Sequence, residues 1–119
     1  MRENIVKNKS LDFALRIIKL YKILVDEKRE FVMSKQLLRS GTAVGALIRE
    51  AEHAESKADF IHKMAISLKE ANETEYWIEL LFQSEYLDEN SYKSIQSESK
   101  ELLKLLISIV KSSKENGKR

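Results

Sequence analysis

Apolar residues recur every three to four positions along four stretches of the chain, which is the period of an amphipathic α-helix. The links between these stretches are short, and short links make successive helices antiparallel neighbours. We therefore predict one all-α domain, an antiparallel up-down-up-down four-helix bundle, with Ser10 capping the first helix and Ser56 and Asp59 forming a capping box before the third. The predicted helices and a frayed tail fall at about residues 10–28, 34–54, 57–85, 90–113 and 114–119.

The first and fourth predicted helices carry wide apolar arcs. On a wheel at about 100° per residue, two adjacent stripes of the first helix cover roughly 220°, whereas one buried face needs little over 100°. One stripe holds Phe13, Ile17, Leu20 and Leu24, and the other holds Leu11, Ala14, Leu15, Ile18, Tyr21 and Val25. Large exposed apolar patches mark interfaces, so we expect a homo-oligomer, with a wide but ordinary core as the alternative.

Trp77 and Leu80 lie on a flank of the third predicted helix, beside its main apolar stripe. A tryptophan at such a position is either an interface anchor or a residue of a broad core. The residues that we assign to the oligomer interface are Phe13, Ile17, Leu20, Leu24, Trp77, Leu80, Leu105 and Ile109.

Three residues inside the predicted helices need a physical explanation. Gly41 and Gly45 cost helix stability, and their spacing favours close approach of a neighbouring backbone; a ligand-binding kink is the alternative. Glu75 falls inside the apolar stripe of the third helix, so its carboxylate needs a partner, a proton or a place at the edge of the core.

The composition excludes several classes of protein. The 119 residues include no proline, no cysteine and only three glycines, and 43% are hydrophobic. This rules out a turn-rich β-sandwich, Gly-rich nucleotide loops, disulfides, thiolate catalysis and zinc–sulfur sites, and we expect no cofactor. No segment has the pattern of a signal peptide or a membrane span, so we expect a cytoplasmic protein.

Charge is nearly balanced, with 21 basic and 19 acidic residues and a net charge of +2. Lys93, Lys100, Lys104 and Lys111 nevertheless fall on one line of the fourth helix, and Arg16 and Lys19 form a looser basic edge on the first. Repeated around an oligomer, these six residues predict a surface that binds nucleic-acid phosphates. An ordinary solvated lysine face is the alternative, and the line has no aromatic side chains for stacking on bases.

Two short motifs resemble those of di-metal carboxylate bundles, Glu50-x-x-His53 and Asp59-x-x-His62. Both pairs point away from the apolar faces of their helices and crowd one turn instead of the middle of the bundle. We therefore predict no metal site. The sequence also lacks an arrangement of nucleophile, base and orienting group, so we expect no catalytic residues and no enzyme activity.

Four stretches in order resemble a known family: Gln36–Ser40, Ile48–Glu50, Ser56–Phe60 and Ser67–Glu70. The chain is similar to the bacterial four-helix bundle proteins encoded by intervening sequences of 23S ribosomal RNA genes, sometimes labelled ribosomal proteins. The likeness extends from about Leu11 to Val110. The same fold occurs in the accessory protein of diversity-generating retroelements. The resemblance implies assembly as a ring, a pentamer, and no known enzymatic activity. For the retroelement relatives it implies a basic surface that engages nucleic acid and a reverse transcriptase.

These observations together predict a non-catalytic homo-oligomeric scaffold that binds RNA or a ribonucleoprotein partner through a repeated basic surface. The alternative is a protein–protein interaction adaptor without a nucleic-acid role.

Overall fold

The computed structural model describes residues 2–117, apart from the side chain of Glu3 and the exposure of Gly117. It consists of four α-helices, which confirms the predicted four-helix bundle. Each helix packs against its neighbours in sequence, the first and last helices close the bundle, and no Cα atoms of diagonally opposite helices come within 8 Å of each other in residues 2–117. The body measures 51 × 22 × 20 Å. The helices are α1 (Arg2–Asp26), α2 (Met33–Glu52), α3 (Lys57–Gln83) and α4 (Glu89–Gly117).

The first helix begins at Arg2, so the predicted cap at Ser10 is wrong. Ser10 is buried in the middle of α1, where its hydroxyl donates to the carbonyl of Lys7 at 2.8 Å. Most residues before Ser10 are polar, so the pattern of apolar positions did not predict this part of α1. The fully buried Val6 nevertheless extends the core stripe that continues at Phe13. The predicted fraying is also wrong for residues 114–117, which continue α4, and residues 118 and 119 lie outside the described part.

Different side chains cap the N-termini of α2 and α3. The capping box before α3 is confirmed, because Ser56 Oγ accepts from the Asp59 N–H at 3.0 Å and Asp59 Oδ2 accepts from the Glu55 N–H at 3.2 Å. At α2 the acceptor is Glu30, whose carboxylate lies under the first turn and accepts from the backbone N–H of Val32 at 2.8 Å and of Ser34 at 3.2 Å. Sequence rules for helix starts favour Ser, Thr, Asp or Asn beside the first turn, so they missed Glu30.

One stripe from each helix forms the core. Four residues assigned to the oligomer interface, Phe13, Ile17, Leu24 and Ile109, are at most 2% exposed within the single chain, so this part of the assignment is wrong. The assignment failed because a helical wheel shows how wide the apolar arc is but not which part of the arc faces the other helices. The core is centred on Val6, Phe13, Ile17, Leu24, Leu37, Val44, Ile48, Met64, Ala71, Ile78, Leu81, Ile95, Leu102, Leu106 and Ile109.

Small residues let α2 approach both of its neighbours closely. A Cβ atom on Gly41 would lie 2.9 Å from the side chain of Ile17, and one on Gly45 would lie 3.2 Å from Ser10 Oγ, so the packing interpretation of both glycines is confirmed. On the other side of α2, Ser67 Oγ donates to the carbonyl of Val44 at 2.9 Å. Glu75 is only half-buried, which fits a place at the edge of the core.

Candidate functional site

The four lysines of α4 form an exposed row, which we call the lysine line: Lys93, Lys100, Lys104 and Lys111. Spacings of seven, four and seven residues keep them on one side of the helix. At a rise of 1.5 Å per residue the line is about 27 Å long. Lys93 forms an exposed ion pair with Glu89 at 3.2 Å, which is worth little in water. Among the side chains that the structure describes, none forms an ion pair with the other three lysines.

The basic edge of α1 lies against α4, and part of its charge is neutralised there. Arg16, a predicted nucleic-acid contact, is half-buried and pairs with Glu98 at 2.8 Å. Lys9 pairs with Glu101, and the hydrogen bond to this carboxylate raises the pKa of Lys9. Lys19 is exposed. The structure therefore places the predicted α1 residues along the contact with α4, with Lys19 more accessible to an anion than Arg16.

The second apolar stripe of α1 faces outward. Leu11 is 46% exposed and Leu15 is 52% exposed, one helical turn apart. Half-buried apolar side chains continue the same strip along the helix. We call this strip the α1 outer face, and its members are Leu11, Ala14, Leu15, Ile18, Tyr21 and Val25. Because Phe13, Ile17 and Leu24 are buried within the single chain, the α1 outer face is an apolar surface of α1 that remains accessible to a second copy.

The other predicted interface residues, Leu20, Trp77, Leu80 and Leu105, are half-buried. Leu20 helps to line a groove of about 220 Å³ between α1 and α4, together with Ile23, Leu87 and Ile95. These positions keep part of their apolar surface accessible, unlike the four residues that lie in the core.

A charged network fixes Trp77 on the outer side of α2 and α3. Its indole Nε1 donates to Glu73 Oε2 at 3.0 Å, and its ring meets that of Tyr76 edge-on at 5.3 Å between centroids. Arg39 of α2 contacts both Glu73 and Glu70, the latter at 3.2 Å. The hydrogen bonds to Glu73, first from Trp77 and then from Arg39, lower the pKa of that carboxyl group. The apolar pattern allowed two interpretations of Trp77 but did not reveal this network, because its members come from two helices.

The two Glu/Asp-x-x-His motifs flank the turn between α2 and α3, one at the end of α2 and one at the start of α3. His53 and His62 are exposed, while Glu50 and Asp59 lie 3.7 and 3.8 Å from the ammonium group of Lys63. No group of three or more metal-ligating side chains comes together in the part of the chain that the structure describes. In the same part, no helix has an apolar stretch long enough to cross a bilayer.

The fold defines a class, the antiparallel four-helix bundles, and in this chain the last helix carries a row of exposed lysines. The family model described as 23S rRNA-intervening sequence protein matches residues 2–108. The chain therefore belongs to the 23S rRNA-intervening sequence protein family, as its sequence resemblance predicted.

A solved relative has the same fold. It is a crystal structure of a protein of unknown function from the S23 ribosomal protein family of Bacteroides thetaiotaomicron. The two sequences are 64% identical over 93% of this chain and 99% of that one, and the TM-score is 0.91. The search of curated proteins finds no match.

Proposed function

We propose that the chain is a non-catalytic, homo-oligomeric scaffold that binds RNA, or a ribonucleoprotein partner, through repeated copies of the lysine line. The observation that carries the proposal is the line itself. Lys100, Lys104 and Lys111 are exposed on one side of α4, where successive ammonium groups can contact successive phosphates. Contacts of this kind position a protein on the backbone and do not read sequence, in agreement with the absence of aromatic residues from the line.

Oligomerisation supplies the affinity that one copy lacks. A single chain has a net charge of only +2, which is low for a nucleic-acid-binding domain. Each additional phosphate contact adds released counterions, so the salt dependence and the affinity grow with the number of copies. We propose that the α1 outer face forms the contact between copies, since isolated exposed leucines are common but a continuous apolar strip marks an interface. A pentameric ring, which the family resemblance implies, is the assembly that we propose.

The test is a titration of structured RNA at several salt concentrations. We expect saturable binding that weakens steeply with salt, and the triple variant Lys100→Glu, Lys104→Glu, Lys111→Glu should lose it. The salt slope should fall by about 1 for each lysine that contacts a phosphate. The matched control is Lys35→Glu, Lys57→Glu, Lys69→Glu, which reverses three exposed lysines on α2 and α3 and changes the net charge equally.

Equal losses in the two triple variants would mean that only net charge matters and would remove the lysine line from the proposal. Undetectable binding by the unaltered chain at low salt would refute the RNA-binding function. A protein–protein adaptor would then be the better proposal. The specific observation in its favour is the fixed aromatic pair Tyr76 and Trp77, because ordered aromatic side chains beside an arginine are typical anchors of protein interfaces.

A further inference from the structure

The loop between α1 and α2 and the turn between α3 and α4 lie at the same end of the bundle, where they line an open cleft of about 450 Å³. An apolar cavity of about 150 Å³ holds benzene, so this cleft has room for the larger ring of a nucleobase. Two apolar side chains are open to solvent here, since Phe31 is 51% exposed and Val32 is 77% exposed. We call it the Phe31 cleft, and its lining residues are Arg29, Glu30, Phe31, Val32, Met33 and Tyr86.

A guanidinium group accompanies the exposed ring. The guanidinium carbon of Arg29 lies 5.4 Å from the centroid of the Phe31 ring, within the range of a cation–π contact. No carboxylate of the described residues forms an ion pair with Arg29. Its charge therefore remains available to an incoming phosphate or to the polar edge of a base.

The loop presents these groups on an ordered backbone. The carboxylate of Glu30 accepts from the N–H of Val32 at 2.8 Å and also from those of Met33 and Ser34. Because its oxygens are occupied by these N–H groups and the residue is only 6% exposed, Glu30 presents little carboxylate surface to an anion in the cleft. A side chain on an ordered loop loses little conformational entropy when a ligand docks.

An exposed aromatic ring beside an arginine suits the recognition of an unpaired base. Single-stranded segments of RNA stack their bases on aromatic side chains or on guanidinium planes, whereas the bases of a duplex are already stacked on each other. We propose that the Phe31 cleft holds an unpaired nucleobase of the bound RNA, stacked on the Phe31 ring, with its polar edge or a neighbouring phosphate toward Arg29. This inference rests on the proposed RNA-binding function and adds to it a contact that only a single-stranded segment can make.

The Phe31 cleft and the lysine line can engage one RNA strand. Lys93, the first residue of the line, lies one helical turn after the start of α4 at Glu89, and α4 begins at the end of the bundle that holds the cleft. The bundle is only 22 × 20 Å in cross-section, so a strand of a few nucleotides spans the distance between them. The lysine line then holds phosphates without reading bases, and the cleft distinguishes an unpaired base from a paired one.

Titration with two RNAs of equal length tests the proposal. One is a blunt hairpin, and the other is a shorter hairpin with an unpaired extension of about six nucleotides, one of which is a fluorescent adenine analogue whose emission falls on stacking. Phe31→Leu keeps the residue apolar but removes the ring. It should weaken binding of the extended RNA by about fivefold or more, abolish the fall in fluorescence and leave the affinity for the blunt hairpin unchanged. Phe31→Trp, which restores an aromatic ring, should bind as the unaltered chain does.

The matched control is Tyr76→Leu, which removes a ring that is 57% exposed on α3 and should change neither the affinities nor the fluorescence. Circular dichroism of each variant checks that the helices remain folded. Equal effects of Phe31→Leu and Tyr76→Leu, or an equal loss of affinity for the two RNAs on Phe31→Leu, would overturn the proposal.

Failure of the Phe31 cleft and failure of the proposed function give different results. If the unaltered chain binds neither RNA, the RNA-binding function is refuted, and the proposed occupant of the cleft with it. If the chain binds both RNAs and loses them in the triple variant Lys100→Glu, Lys104→Glu, Lys111→Glu, the lysine line stands. Unchanged binding and unchanged fluorescence of the extended RNA on Phe31→Leu would then overturn the stacking site alone.

Discussion

The carboxylate of Glu30 shows how one side chain decides where a helix begins. The first N–H groups of a helix have no acceptor within the helix, and they need one from outside when the end is buried. Glu30 lies under the first turn of α2, is 6% exposed, and accepts from the N–H groups of Val32, Met33 and Ser34. The Ser34 hydroxyl returns a hydrogen bond to the carbonyl of Glu30 at 2.8 Å. This reciprocal arrangement orders the loop and the start of the helix together.

Replacing Glu30 with alanine should therefore lower the free energy of unfolding by about 2 kcal/mol, because three N–H groups lose their acceptor. Chemical denaturation followed by circular dichroism measures the change. Glu27→Ala, at an exposed position in the same loop region, is the control and should stay within about 0.5 kcal/mol of the parent. Similar losses for both variants would show that Glu30 contributes no more than a surface charge.

Among the helices, the contact between α1 and α4 differs from the other three. The two helices pack against each other less extensively than the other neighbouring pairs do. Several of the contacts between them are ion pairs or hydrogen bonds. Arg16 pairs with Glu98, Lys9 pairs with Glu101, and Arg2 donates to Ser108 Oγ at 2.9 Å. Surface ion pairs contribute about 0–1 kcal/mol each and weaken as salt is added. We therefore expect the bundle to open most easily at the α1–α4 contact.

Native-state hydrogen exchange should report this difference. Added salt should speed amide exchange in α1 more than in α3, and Arg16→Met, which removes the ion pair while keeping the aliphatic stem, should have the same effect at low salt. Arg39→Met, which breaks the ion pairs between α2 and α3, is the matched control and should leave the exchange of α1 unchanged. Uniform exchange along the four helices would contradict an α1–α4 opening.

At the scale of the whole molecule, the apolar surface of α1 is divided between two tasks. One stripe, with Phe13, Ile17 and Leu24, fills the core of the chain. The other, the α1 outer face, exposes Leu11 and Leu15 to solvent in a single copy. A helix that only covers a core needs one apolar stripe, so the second one is the physical basis for expecting assembly.

Light scattering should therefore give a particle several times the single-chain mass of 13.8 kDa at micromolar concentration. Leu15→Glu should dissociate it, since a charge would be buried in the contact between copies. The control Ala46→Glu places the same charge at an exposed site on α2 and should leave the assembly unchanged. A stable single-chain particle for the unaltered protein would show that the outer leucines tolerate water, and it would remove the repeated lysine line from the proposed function.

The sequence by itself determined the number and type of the helices, because the apolar period of about 3.6 residues is a local property of the chain. It also predicted the capping box at Ser56 and Asp59, the packing role of Gly41 and Gly45, and the family. It placed the lysine line on one side of α4 for the same local reason.

Only the tertiary structure decided which apolar stripe of α1 faces the core, because a helical wheel does not show on which side of the helix its neighbours pack. It decided that Arg16 is paired with Glu98, that Trp77 belongs to a network reaching Arg39, and that Glu30 caps α2. Each of these facts joins residues that are distant in sequence or depends on a folded loop, and neither periodicity nor spacing along the chain contains that information.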